Sequence, residues 1–236
     1  MKTLQLLLIS MVMFAGCKKQ GDKATANVVT PPDTTTYHYL ALGDSYTIGQ
    51  AVPASESYPI QLADALTRGG FKTPAPTIIA VTGWTTDDLI FGIANSNIGN
   101  NKYQIVTLLI GVNDQYEGLT QDHYRTNFIT LLHTAINFAG GDSTRVFVLS
   151  IPDYGVTPYG KARQSVISPQ IDAFNAINEQ ESLNAGVNYL NITGISREAA
   201  TDLSLVASDG LHPSGTMYTL WVNQLTPMVT ERLLKH

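Results

Sequence analysis

The chain has 236 residues, with 14 Lys and Arg against 19 Asp and Glu, and a formal net charge of −5. An acidic surface is ill suited to nucleic acid, whose phosphates must be neutralised by Lys and Arg, so no nucleic-acid partner is expected. The one cysteine excludes an internal disulfide and a thiolate-rich metal site, so the fold must rest on its core; roughly 200 residues are enough for one.

In chain order, residues 1–16 read as a secretory signal. Lys2 supplies the positive end, and Leu4 to Ala15 form an apolar run broken by Gln5 and Ser10. That run of about a dozen residues is too short to span a hydrocarbon layer of roughly 30 Å as a helix. Phe14-Ala15-Gly16-Cys17 resembles the lipobox of bacterial lipoproteins, with Phe14 in place of the usual leucine. The resemblance implies cleavage before Cys17, a lipid on Cys17 and an extracytoplasmic domain anchored to a bacterial membrane; an ordinary secretory signal is the alternative. Cleavage there would leave 13 Lys and Arg against 19 acids, a net charge of −6. Residues 17–36 follow as the lipidated cysteine and a tether: Lys18 to Thr36 is polar, free of aromatics and carries Pro31-Pro32. As a flexible coil it would reach on the order of 25 Å. Residues 37–236 read as one domain without a second linker or an internal repeat.

Within that domain, strand-like apolar runs fall at His38–Gly43, Thr77–Thr82, Gln104–Gly111, Arg145–Ile151 and Val187–Ile192. Helical patterns separate them. Ser57 to Arg68 stops at Gly69-Gly70, and Thr86 to Asn95 carries Asp87 and Asp88 in its first turn, where the helix dipole favours them. Thr120 is a reasonable N-cap for a helix whose apolar face is Tyr124, Phe128, Leu131, Leu132, Ala135 and Ile136. Ser168-Pro169 opens a further helix that Gly186 closes, and a last one starts near Ser214, with Pro227 expected to kink or interrupt it. Apolar strands alternating with helices predict an α/β fold: a three-layer, flavodoxin-like, five-stranded parallel sheet of order 2-1-3-4-5 with helices on both faces. In such sheets ligands sit beyond the carboxyl ends of the strands, where the order switches.

Four short motifs carry chemistry: Gly43-Asp44-Ser45, Gly83, Gly111-Val112-Asn113-Asp114 and Asp209-Gly210-Leu211-His212. The first three follow apolar runs and so fall at that sheet edge. Together they offer a nucleophile, oxyanion donors, a base and a carboxylate to orient it. Of His38, His123, His133, His212 and His236, only His212 has an acid three residues earlier on a glycine-containing turn, which lets Asp209 accept from Nδ1–H and leaves Nε2 for a serine proton. Asp44 and Asp114 read as loop and cap residues.

This set resembles the SGNH hydrolases, also called GDSL esterases, from Tyr37 to about Leu234; Tyr46 replaces the leucine of the family's short name. The resemblance implies Ser45 as nucleophile, His212 and Asp209 as base and orienting acid, and the Ser45 N–H, Gly83 N–H and Asn113 side chain as oxyanion hole. Glycine lets its N–H approach substrate without a Cβ in the way, and an asparagine amide stabilises O⁻ without forming a ground-state ion pair.

No Gly-x-Ser-x-Gly, Walker loop, Gly-x-Gly-x-x-Gly or His-Glu-x-x-His occurs, so neither a nucleotide cofactor nor a catalytic metal is expected. Substrate contacts are expected from Trp84, Tyr154 and Tyr159, the tyrosines lying in Asp153 to Gln164. The reading is a serine esterase working through an acyl-enzyme on short-acyl, chiefly acetyl, esters, carbohydrates among them. A lysophospholipase or acyl thioesterase is the alternative within the family. A non-catalytic binding lipoprotein would gain nothing from a serine, base and acid held in register.

Overall fold

The computed structural model describes residues 35–235; the expected signal and nearly all of the tether lie outside them. Five strands form one all-parallel sheet: β1 (Tyr39–Gly43), β2 (Thr77–Ala80), β3 (Ile105–Leu109), β4 (Val146–Leu149) and β5 (Asn188–Leu190), in the order β2-β1-β3-β4-β5. This is the order the alternating pattern predicts. β1, β3 and β4 are buried along their whole length, which is why they read as apolar runs, broken in β3 only by Thr107, whose hydroxyl bonds to Tyr39 and Tyr58. β2, at the edge, is half-buried throughout.

Eight α-helices surround the sheet among the described residues: α1 (Ser45–Ile48), α2 (Tyr58–Arg68), α3 (Thr86–Ala94), α4 (Val112–Glu117), α5 (Gln121–Phe138), α6 (Gln164–Asn184), α7 (Thr193–Arg197) and α8 (Gly215–Leu233). α2 and α8 pack together on one face, and α3, α5 and α6 line up on the other. In α2 the buried side chains Tyr58, Leu62 and Leu66 recur every four residues, a single stripe turned to the core. α8 meets that stripe with Tyr218 and Trp221, whose rings stand edge to face at 5.0 Å and 88°. Thr85 and Asp88 form a reciprocal capping box that fixes the start of α3. Thr120 caps α5 as its position predicts, its hydroxyl accepting from the His123 N–H at 3.2 Å.

Two helix boundaries differ from expectation. α6 begins at Gln164, ahead of Ser168-Pro169, and carries Pro169 inside its second turn. α8 runs unbroken past Pro227 to Leu233. Each proline forfeits one backbone bond, but Ile167, Ile171 and Phe174 in α6 and Leu225, Val229 and Leu233 in α8 keep both flanks buried, and packing outweighs the loss.

β1 sits between β2 and β3, with Gly43 level with Ala80 on one side and Leu109 on the other. The chain therefore leaves all three strands at one height, where the strand order switches, and the segments after them converge.

Candidate active site

Ser45 is the first residue of α1, directly after β1. Asp44 caps that turn, its Oδ1 accepting from the Tyr46 N–H at 2.9 Å. The sequence gives such a turn its reason: strand, short acceptor side chain, then helix. The Ser45 N–H lies in the first turn, where helix geometry provides no intrahelical acceptor.

The base arrives from a loop 167 residues away. Between α7 and α8, Val206 and Pro213 form an antiparallel bridge, and the Ala207 N–H donates to His212 O at 2.7 Å. Inside this closed loop Asp209 organises the turn: Oδ1 accepts from the backbone N–H groups of Leu211 (2.9 Å) and His212 (3.0 Å). Its Oδ2 lies 2.6 Å from His212 Nδ1, and His212 Nε2 lies 3.0 Å from Ser45 Oγ. A carboxylate only accepts, so Nδ1 carries the hydrogen and Nε2 faces the serine hydroxyl as acceptor. Burial pushes the Asp209 carboxyl upward, but the bonds from the His212 side chain and backbone and from Leu211 together hold it below the usual carboxylate range. Ser45 and His212 are 4% and 8% exposed, and the Tyr46 ring stands edge-on to the imidazole at 5.6 Å.

Opposite them are Gly83 and Asn113. Gly83 has φ +86°, in the left-handed region that favours glycine, with no atom near where a Cβ would project, so its backbone lies open to the cleft. Gly111, φ +123°, turns the chain from β3 into α4; a Cβ there would meet the Tyr124 ring at 2.5 Å. Asn113 Nδ2 donates one N–H to Trp84 O at 2.8 Å, and an amide nitrogen carries two. A second seam joins the same two segments. Buried Asp114 accepts from the Thr86 N–H at 3.0 Å and from the Thr86 hydroxyl at 2.5 Å, capping α3 from outside. Burial raises the Asp114 carboxyl above its ordinary value, the Thr86 bonds opposing that shift. Asp44 is pushed up to about 8, chiefly by burial, with the nearby Asp114 adding to it and the Tyr46 N–H opposing.

Ser45, Gly83, Asn113 and His212 line one cleft of about 210 Å³, together with Tyr46, Thr82, Val112, Tyr116, Tyr154, Tyr159 and Leu211. Two of the three expected substrate contacts, Tyr154 and Tyr159, are there. The Trp84 ring is not: it packs against α3, where a Cβ on Gly92 would run into it, and Trp84 serves the site through its backbone carbonyl. Tyr116 was missed by sequence reasoning, although it stands three residues after Asn113 and a helical reading of that turn puts the two on one face. A second His–Asp contact, His123 Nε2 to Asp87 Oδ2 at 2.6 Å, lies on the exposed surface of α3 and α5, outside this cleft. Among the described residues no three His, Cys, Asp or Glu side chains gather as metal ligands, and no helix is long and apolar enough to cross a membrane.

The arrangement can activate a hydroxyl, receive its proton and offer donors to an oxyanion. No curated protein matches the sequence. Solved structures match its fold. A lipase/acylhydrolase from Enterococcus faecalis is 19% identical, with a TM-score of 0.67 over 83% of this chain and 96% of that one. The esterase EstA from Pseudoalteromonas sp., solved inhibited by monoethylphosphonate, is 16% identical, with 0.64 over 84% and 98%. Axe2, an acetylxylan esterase from Geobacillus stearothermophilus, is 16% identical, with 0.62 over 82% and 94%. At these identities the likeness is one of fold. The family model for the GDSL-like lipase/acylhydrolases matches residues 41–220, a span holding all four motifs, and the chain therefore belongs to that family of ester-bond hydrolases.

Proposed function

We propose that this protein is a serine esterase of short-acyl esters, acetyl groups on carbohydrates foremost, working through a covalent acyl-enzyme. The observation that carries the reading is the continuous contact Asp209–His212–Ser45, at 2.6 and 3.0 Å, on the wall of a small cleft. His212 Nε2 takes the Ser45 proton as Oγ bonds to the acyl carbon. The carbonyl oxygen becomes an oxyanion received by the Ser45 and Gly83 N–H groups and the second Asn113 N–H. The imidazolium, stabilised by Asp209, passes its proton to the departing alcohol. Water then repeats the sequence on the acyl-enzyme, releasing the acid and returning the proton to Ser45.

Short acyl groups fit the size of the cleft, since about 210 Å³ is below the roughly 300–1,000 Å³ of sites that enclose a drug-sized ligand. Carbohydrate fits the direction the cleft faces. Tyr37 enters the domain beside Lys72, its N–H donating to Lys72 O at 2.9 Å, just before β1, whereas Ser45 lies beyond the other end of β1. A lipid on Cys17 would hold the domain by the edge opposite the cleft, and a flexible tether of about 25 Å would leave the cleft free to reach polymers. Loss of detergent-phase partitioning in Cys17→Ser checks the anchor.

The function is tested by hydrolysis of p-nitrophenyl acetate, butyrate and octanoate, with Ser45→Ala as blank. The expected result is activity falling steeply beyond acetate. Activity that rises with chain length would favour a lipid or thioester substrate, and none above the blank would remove the esterase reading.

A further inference from the structure

Tyr116 and Tyr159 lie 43 residues apart in the chain, yet their hydroxyls meet at 2.9 Å over the cleft, with each residue more than half exposed (57% and 54%). Their supports come from opposite sides of the site. Tyr116 sits on α4 three residues after Asn113. Tyr159 follows β4, and its N–H donates to Gly210 O at 3.0 Å, inside the turn that holds His212. Beneath the pair lies buried Tyr154, its ring centroid 6.3 Å from Tyr116 and 6.5 Å from Tyr159. The three rings and one hydrogen bond form a wall from the oxyanion side of the cleft to the base side.

The reaction's stereochemistry says what that wall faces. Around the tetrahedral carbon, one bond goes to Ser45 Oγ, the oxyanion points to Ser45, Gly83 and Asn113, and the leaving oxygen points to His212 Nε2. The acyl carbon takes the remaining direction. Tyr46 and Leu211 adjoin His212 on the leaving-group side, which leaves two surfaces to receive the acyl carbon. One is the exposed rim at Thr82, whose hydroxyl donates to Gln50 Oε1 at 2.7 Å; the other is Val112 with the three tyrosines. A hydrocarbon chain gains by leaving water only on the second.

We propose that the Tyr116–Tyr159 phenol pair ends the acyl side of the cleft and sets the longest acyl group the enzyme accepts. This rests on the esterase reading. The hydrogen bond matters because it ties two rings that each stand more than half exposed, with the Tyr154 ring beside both. Without the bond the rings can swing apart, and without the rings the cleft opens along the wall.

The test uses the full-length chain and two substrate series. One varies the acyl group on a constant alcohol (p-nitrophenyl acetate, butyrate and octanoate); the other varies the alcohol of a constant acetyl ester (methyl, phenyl and naphthyl acetate). The variants are Tyr116→Phe, Tyr159→Phe and the double Tyr116→Ala/Tyr159→Ala, each checked for an unchanged melting temperature. In the double variant the octanoate-to-acetate ratio of kcat/KM should rise at least tenfold, with both Phe variants in between and the alcohol series keeping its wild-type order. An unchanged acyl ratio in a folded double variant overturns the proposal, and so does a shift confined to the alcohol series, which would make the wall a leaving-group site. Wild-type hydrolysis no higher than the Ser45→Ala blank would sink the esterase reading itself, a separate result from an unchanged ratio.

Discussion

Asp209→Asn is the sharpest perturbation of the proposed mechanism, because it changes one hydrogen and almost no shape. In wild type Oδ1 holds the turn through the Leu211 and His212 N–H groups, while Oδ2 accepts from His212 Nδ1. An asparagine can keep Oδ1 in place, so the turn survives. Its Nδ2 then stands where Oδ2 stood and presents a hydrogen to Nδ1. The imidazole answers by moving its own hydrogen to Nε2, the atom 3.0 Å from Ser45 Oγ, and can no longer accept the serine proton. In a triad with a fully buried acid this exchange lowers kcat roughly 10⁴-fold. The Asp209 side chain is 33% exposed, so water can compete for Nδ1 and restore the working tautomer part of the time. The expected loss is therefore about 10²–10³, equivalent to about 3–4 kcal/mol of transition-state stabilisation. Asp209→Ala leaves Nδ1 to water and gives up the turn bonds, so it should lose less kcat but more thermal stability than the asparagine. Turnover of p-nitrophenyl acetate at about neutral pH and a melting curve for each variant decide the matter. An asparagine variant within tenfold of wild type, with its fold intact, would refute the tautomer argument.

Two further outcomes follow from the buried acids. Asp44 is raised from 3.8 to about 8, so the folded state keeps a proton that the unfolded chain releases; its stabilising contribution is complete below about pH 4 and is lost as pH rises toward 8. A displacement of about four units sets a ceiling of about 6 kcal/mol, which relaxation around the site reduces; between pH 5 and 8 the melting temperature should fall at least about 5 °C further in wild type than in Asp44→Asn, and equal slopes would contradict the assignment. Asp114→Ala removes both acceptors that hold the Thr86 N–H and hydroxyl and opens the seam between the Gly83 and Asn113 segments. Its kcat should fall about tenfold, about 1.4 kcal/mol, with KM within about twofold of wild type; unchanged kcat would show that the seam does not position the donors.

The sheet was legible because parallel strands buried on both faces leave apolar runs: Leu40–Leu42 and Val146–Leu149 are unbroken, and Val106–Leu109 is interrupted only by buried Thr107. Their ends were read too long: Gln104–Gly111 was expected where β3 covers Ile105–Leu109, since Ile110 is buried like a strand residue while Gly111 has already turned. α1, α4 and α7, four to six residues each, are too short to show a 3.6-residue period. The motif residues were legible for a different reason. Ser45, Gly83 and Asn113 each answer a local demand at a strand end: a capped helix start, a positive φ, a turn into a helix.

Tyr154 and Tyr159 are expected at the cleft from the sequence, but nothing local marks which aromatic rings meet there. Trp84 follows Gly83 in sequence, yet its ring turns away because Gly92, eight residues on, leaves a socket for it. Tyr116 and Tyr159 meet only because Tyr159 is fastened to Gly210, in a loop that itself reaches the site from beyond β5. Such contacts join segments with no fixed spacing, so no sequence motif can announce them. A side-chain change at Tyr154 or Tyr159 can move the wall while the Asp44 and Asp114 bonds and the backbone bond from Tyr159 N–H to Gly210 O stay in place. On this scaffold the proposed chemistry and the proposed acyl selection rest on different side chains, joined by the Tyr159–Gly210 backbone bond. That separation is why the parts list of the reaction can be read from four motifs while its substrate cannot.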